Sequence, residues 1–124
     1  KMKRIAVAAE GETLDSKISP VGARAPYFLI FDSKFNLEEV IKNPFRAGGG
    51  AGLGAASLLR EKGVDGFIAG ALGPNMLMSL REGSIKIYQV QGITVEEVLQ
   101  RLQKNELEEF NSEIPSWQEE VQPK

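Results

Sequence analysis

The chain has 124 residues, 42% hydrophobic and 26% charged, with a formal net charge of -2 and a pI near 5.3. That length suits one domain around a single core, and the mild acidity argues against a nucleic-acid binder, which would show a basic face. Cysteine and histidine are both absent, which rules out a disulfide scaffold, a thiolate-held cluster, a cysteine nucleophile and a histidine-activated serine.

Lys1 reads as an extra residue before a natural start at Met2. No signal-peptide pattern and no apolar run of about 18 residues follows, so a cytoplasmic protein is expected. Ile5-Ala6-Val7-Ala8-Ala9 is a short, wholly apolar run and predicts a strand buried on both faces. Residues 10–26 carry Gly11, Pro20, Gly22 and Pro26 without any period. So long a loop in a small domain is expected to be functional or mobile. Residues 10–25 in particular should touch the sheet little, be the least ordered part of the core, and close over a ligand with Arg24. Tyr27–Phe31 is a second strand, rich in aromatic and branched residues. Asp32–Asn36 is too short for a crossover, so Leu37–Lys42 must return antiparallel, and its mixed pattern places it near an edge.

A helix is predicted from about Gly52 to Lys62, capped by Gly63. Val64–Ala69 is the fourth strand. A second helix starts at Pro74, a residue suited to the first helical turn, and ends before Gly83. Ile85–Tyr88 gives a fifth strand. Thr94 and Glu97 have capping-box spacing, and Val95, Val98, Leu99 and Leu102 share one helical face. Residues 2–107 thus form the domain, and 108–124 an acidic, weakly ordered tail that Trp117 could dock.

This order predicts an α/β protein: a five-stranded mixed sheet of order 3-2-1-4-5, with strand 2 antiparallel and helices on both faces. The loop after strand 1, the glycine run after strand 3 and the turn after strand 4 then leave the same edge. Ligands of open α/β sheets bind at such an edge, near a switch in strand order.

Two glycine-rich stretches lie there. Gly48, Gly49, Gly50, Gly52 and Gly54 fall between Arg46 and Ala56, and Gly70, Gly73, Pro74 and Asn75 follow strand 4. Each precedes a helix, where free N–H groups and the positive dipole end can face an anion. Gly50–Ala55 satisfies G-x-G-x-x-A, but it does not follow the first strand as a dinucleotide fingerprint does, and no P-loop lysine is present. Tight helix–sheet packing at Gly52 and Ala56, or a plain strand–helix turn at Gly70–Asn75, would use the same residues. Arg24 is the candidate cationic partner, with a forked donor. Asn43 and Arg46 flank the glycine run, where either could be a turn residue. Met76, Leu77 and Leu80 have core spacing. Glu10 and Asp32, the acids nearest strand ends, leave opposite edges, so clustered-carboxylate catalysis is not supported.

Several segments together resemble a known family. They are Met2–Ala8, Gly22–Phe28 (Gly-Ala-Arg-Ala-Pro-Tyr-Phe), Gly50-Ala51-Gly52, Gly63-Val64-Asp65, Ala69-Gly70 with Gly73-Pro74-Asn75, and Gly92–Val98. In this order, over about residues 2–107, they resemble the dinitrogenase iron–molybdenum cofactor biosynthesis family, the nitrogenase accessory factor-like domain. The resemblance implies a ribonuclease H-like three-layer α/β/α fold. It also implies a non-enzymatic carrier of an anionic iron–sulfur or molybdenum-containing cluster, with a cluster donor or acceptor protein as partner and a monomer or weak homodimer as its state. The family loop often reads His-Phe-Gly-Arg, whereas this chain has Ser19-Pro20-Val21-Gly22-Ala23-Arg24. Gly22, Arg24, Gly50, Gly52, Gly70, Gly73 and Pro74 match the family pattern, and without an imidazole non-covalent capture of a cluster or a molybdate-like anion by backbone amides and Arg24 is expected; Asn43, Gly48, Gly49 and Asn75 join the candidate site from the glycine edge. The residues alone leave a second reading open, a nucleotide- or phosphometabolite-binding regulatory domain on the same edge.

Overall fold

The computed structural model describes residues 2–111. Its elements are β1 (Arg4–Ala9), β2 (Tyr27–Asp32), β3 (Leu37–Lys42), α1 (Ala51–Glu61), β4 (Gly66–Ala69), α2 (Pro74–Glu82), β5 (Lys86–Gln89) and α3 (Val95–Gln103). The sheet order is β3-β2-β1-β4-β5. β1, β4 and β5 run parallel, while β2 pairs antiparallel with both β1 and β3. The expected topology is therefore the observed one.

β1 divides the core. Ala6 and Ala8 face α1 and α2, while Ile5, Val7 and Ala9 face α3, which gives the three layers. Small residues on the first face have a consequence for packing. Phe28 on β2 pairs with Ala8, and Phe67 on β4 pairs with Ala6. The two rings meet across the intervening strand, edge to face, with centroids 5.9 Å apart. Anything larger than alanine on this face of β1 would fill the space the rings use.

The β2–β3 hairpin is built on Asp32. Phe35 N donates to Asp32 O (3.0 Å), and Asp32 N donates to Asn36 O (2.9 Å). The Asp32 carboxylate accepts from the backbone N–H groups of Lys34 (2.8 Å) and Asn36 (2.9 Å). These bonds, with that from Asn36 N foremost, lower the Asp32 pKa below its ordinary value. Phe35 occupies the left-handed position of this turn, with φ of 65°, where glycine is usual. A left-handed residue with a side chain costs roughly 1–2 kcal/mol. Ser84 and Asn105, the other positive-φ residues with side chains among those described, close the carboxyl ends of α2 and α3.

Residues 10–25 are not the loosely attached segment that their sequence suggests. Glu10 N donates to Lys17 O, Ser19 N to Ala8 O, Ile18 N to Ile93 O and Gly70 N to Ser19 O, at 2.8–3.0 Å. Ile18 and Ser19 are buried, and a 3-10 turn, Gly22–Arg24, leads into β2. Tertiary hydrogen bonds supply the order that no hydrophobic period announces. The segment is a strap across the carboxyl ends of β1 and β4, and the expectation of few contacts is corrected.

At α3, Thr94 Oγ1 accepts from Glu97 N (3.1 Å), while the Glu97 carboxylate pairs with Arg101 at 2.8 Å. Past α3 the chain stays tied to the domain through Phe110. Its N–H donates to Ile87 O (2.6 Å), its carbonyl accepts from Arg81 (2.9 Å), and the Arg81 guanidinium lies 5.7 Å from its ring centre. Trp117, the expected docking residue, lies outside the described residues. Among the described residues no helix is long and apolar enough to cross a membrane.

Ala6→Val should overpack the Phe28–Phe67 contact and cost about 1–3 kcal/mol, read as a lower urea midpoint with an unchanged m-value. Asp32 titrates below its unfolded value, so its contribution is complete above the unfolded pKa, about pH 4, and is lost as pH falls through the folded pKa. Asp32→Ala should be less stable than the parent at pH 7, with the difference shrinking on acidification.

Candidate functional site

α1 and α2 start side by side at the carboxyl end of β4. Gly52, in the first turn of α1, makes this possible: a Cβ there would lie 3.2 Å from Met76 N and 3.3 Å from Met76 Cβ. Neither helix has a side-chain cap or an acidic residue in its first turn, and Gly50 and Gly73 occupy the two cap positions. Two positive dipole ends with uncapped N–H groups therefore face the same space. An anion placed there would relieve the repulsion between them.

The space is a cleft of about 530 Å³. Of the residues expected at the site, Arg24, Gly48, Gly49, Gly50, Gly52, Gly73, Pro74 and Asn75 line it. Among the described residues no carboxylate does, and Arg24 supplies the cationic side chain in the lining. Arg24 and Arg46 hold each other in place: Arg24 Nη1 donates to Arg46 O (2.7 Å), and Arg46 Nε donates to Arg24 O (3.3 Å). This fixes the 3-10 turn against the segment that enters the glycine run. Among the described residues, no group of three or more aspartates and glutamates is placed to hold a metal ion. The cleft thus offers backbone amides and a guanidinium, which suit an anion held through its outer atoms.

Gly22, Gly70 and Asn43 do not line the cleft. A Cβ on Gly22 would fall 2.5 Å from Leu72 Cδ2, and one on Gly70 would collide with the Pro20 carbonyl. Both glycines serve the packing of the strap over β4. Asn43 is buried; its Nδ2 donates to Ala23 O (3.0 Å) and Ala25 O (2.9 Å), and its Oδ1 accepts from Phe45 N (2.9 Å). It positions the loop that carries Arg24. Glu10 and Asp32 sit at opposite sheet ends, as the register Ala9↔Tyr27 and Arg4↔Asp32 requires.

Sequence reasoning missed Val21, Ala23, Ala51 and Ala71 in the lining, and Met76, expected in the core, reaches it as well. It also missed that Gly54 leaves room for the Phe45 ring, whose atoms lie 2.5–2.7 Å from where a Cβ would be. The glycine in mid-helix was the available signal for that contact.

Fold and cleft together define a class: small three-layer α/β domains with a glycine-lined cleft at the carboxyl ends of the parallel strands. The sequence profile of the dinitrogenase iron-molybdenum cofactor family matches residues 3–105, and the chain belongs to that family. Its structure is similar to the apo form of the orange protein from Desulfovibrio gigas, with 31% identity, a TM-score of 0.86, and coverage of 94% of this chain and 98% of that one. It is also similar to a Thermotoga protein described as a candidate NifB protein, at 34% identity and a TM-score of 0.77, covering 90% and 98% of the two chains. A candidate dinitrogenase from Methanocaldococcus jannaschii, 18% identical over 90% of this chain and 98% of its own, shares the fold with a TM-score of 0.67. No curated protein sequence matches significantly.

The glycines separate by backbone demand. Gly48 and Gly50 have φ of 87° and 76°, whereas Gly49 has no positive φ and nothing within 4 Å of an added Cβ. Gly50→Ala should cost about 1–2 kcal/mol and Gly49→Ala should stay within about 0.5 kcal/mol of the parent, compared by chemical denaturation.

Proposed function

We propose that the chain is a non-enzymatic carrier in metal-cofactor assembly. Its cargo is an anionic iron–sulfur or molybdenum-containing cluster, or a related oxyanion, held in the glycine-lined cleft. The observation that carries this reading is the convergence of two uncapped helix starts on a cleft lined by Arg24 and free of carboxylates among the described residues. A helix terminus alone contributes only about 0.3–1 kcal/mol per favourable charge. Two of them with a guanidinium offer enough donors for a cargo bearing several terminal sulfur or oxygen atoms. The family name ties the chain to the iron–molybdenum cofactor, and the apo designation of the orange protein structure speaks of a second, loaded state for that protein.

In this reading the chain's residues bind and release, with no bond made or broken by a side chain. Arg24 orients the cargo from the strap, and the amides of the two first turns face its outer atoms. A cargo held by hydrogen bonds rather than by side-chain ligation can leave intact for an acceptor protein. A donor or acceptor of the cluster is the partner this implies.

Titration with tetrathiomolybdate, followed by its visible absorption, tests the reading. Saturable binding tighter than millimolar is expected, and Arg24→Ala should weaken it about tenfold in a chain that still folds, with only a small fall in melting temperature from the lost Arg24–Arg46 contact. Absence of any spectral shift would sink the carrier reading. Thermal stabilisation by nucleotides but not by thiomolybdate or molybdate would replace it with a phosphometabolite-binding regulatory domain.

A further inference from the structure

The end of the sheet opposite the cleft holds a larger cavity of about 600 Å³, between the β2–β3 hairpin, the start of β5 and the end of α3. Ile5, Phe35, Tyr88 and Leu102 give it an apolar wall continuous with the α3-side core. Lys34 and Lys86 also line it, and among the described residues no carboxylate does. Neither lysine takes part in an ion pair among the described residues. Asp32, the hairpin's acid, accepts from Lys34 N and Asn36 N in the turn, and its carboxylate also feels the Lys34 ammonium, which leaves Lys86, among the described residues, as the lining cation without an acidic neighbour of this kind.

Phe35 supplies an independent observation. It holds a left-handed backbone (φ 65°) at a turn position where glycine would be unstrained. Ser84 and Asn105 share that conformation, but each completes the hydrogen bonds of a helix end. At Phe35 the hairpin turn demands the conformation, its N–H donating to Asp32 O, but glycine would meet that demand without strain. What its side chain adds is a ring packed against the α3-side core and lining this cavity. Strain kept at one residue of a cavity wall is a pointer to use.

We infer that this basal cavity is a second binding site, for a small amphipathic monoanion: an aryl or short alkyl carboxylate whose apolar part lies on Phe35, Tyr88 and Leu102 while its head meets Lys34 and Lys86. Two ammonium point charges beside an apolar wall suit an anion that carries an apolar part. α3 brings its carboxyl end to the cavity through Gln103 and Asn105, and the negative dipole end there disfavours a second charge on the ligand. Burial, with Glu109 adding to it, raises the Tyr88 pKa, so its hydroxyl stays a neutral donor at physiological pH. The inference is independent of the carrier reading, because no residue is shared between cavity and cleft.

The test is an amide-shift titration of the whole labelled chain with phenylacetate at low salt, with benzyl alcohol as the neutral analogue. Saturable shifts are expected at residues 33–36, 86–88 and 102–105, and none at Gly48–Gly52. Benzyl alcohol should bind about tenfold more weakly, and a Lys34→Gln, Lys86→Gln double variant should lower phenylacetate affinity by about the same factor. Phe35→Gly, which suits the backbone, should keep the hairpin's amide pattern and lose binding. Arg24→Ala, outside this cavity, should leave the phenylacetate affinity as it is in the parent. Failure of phenylacetate, indole-3-acetate and hexanoate alike to saturate by roughly 10 mM overturns the inference. So does equal affinity for the neutral analogue, or an unaltered affinity in the lysine double variant.

Discussion

The approach of α1 to α2 at Gly52 and Met76 is the contact on which the arrangement of the cleft rests. Helices packed with their amino ends together set like partial charges side by side, an arrangement with an electrostatic cost in the empty protein. The fold tolerates it because the cost is local, while the apolar faces of both helices bury Ala55, Ala56, Leu59, Met76, Leu77 and Leu80 against the sheet. A side chain at position 52 would trade that geometry for separation. The glycine therefore does two things at once: it sets how closely the helices pack, and it concentrates backbone donors where a ligand can reach them.

A similar economy governs the sheet. Alanines on one face of β1 let aromatic rings from β2 and β4 touch across it, so the layer beneath α1 and α2 is thin at its centre and filled from the sides. The strap made by residues 17–22 then bridges β1 to the continuation of β4, through Ala9↔Ile18 and Val21↔Ala71. Arg24 hangs from that strap, and its hold on Arg46 couples the loop after β1 to the loop after β3. The cleft is thus assembled from three connections that the sheet order alone brings together.

Much of this was legible in the residues because local chemistry and tertiary placement agree. The apolar run Ile5–Ala9 could only be a central strand, Pro74 and Thr94 mark helix starts, and the five-residue Asp32–Asn36 connection forces a hairpin. The glycine edge could be placed for the same reason. What could not be read is which glycines face solvent and which make room for a neighbour. Gly22 and Gly70 look like Gly50 and Gly73 in sequence, yet their role is set by Leu72 and Pro20, which reach them only through the strap. The strap itself has no period, since its order comes from hydrogen bonds to Ala8, Ile93 and Gly70. Asn43 hides similarly: an asparagine after a strand suggests a turn, and its two carbonyl acceptors lie 18 and 20 residues away in the chain. Phe35 defies its local rule altogether, and a sequence pattern cannot register a residue chosen against its backbone preference.

The tether at Phe110 bears on how two copies of this chain could meet. A five-stranded open sheet has two borders, each a template for another strand. At the β5 border the Phe110 N–H takes up the Ile87 carbonyl, and the stretch Glu106-Leu107-Glu108-Glu109 lies beside Gln89 at the end of that strand. A strand arriving there would have to displace the tether and meet three carboxylates. At the other border, Glu38, Glu39 and Lys42 of β3 act as charged gatekeepers. Both borders of the sheet are thereby guarded against pairing with a strand from another molecule.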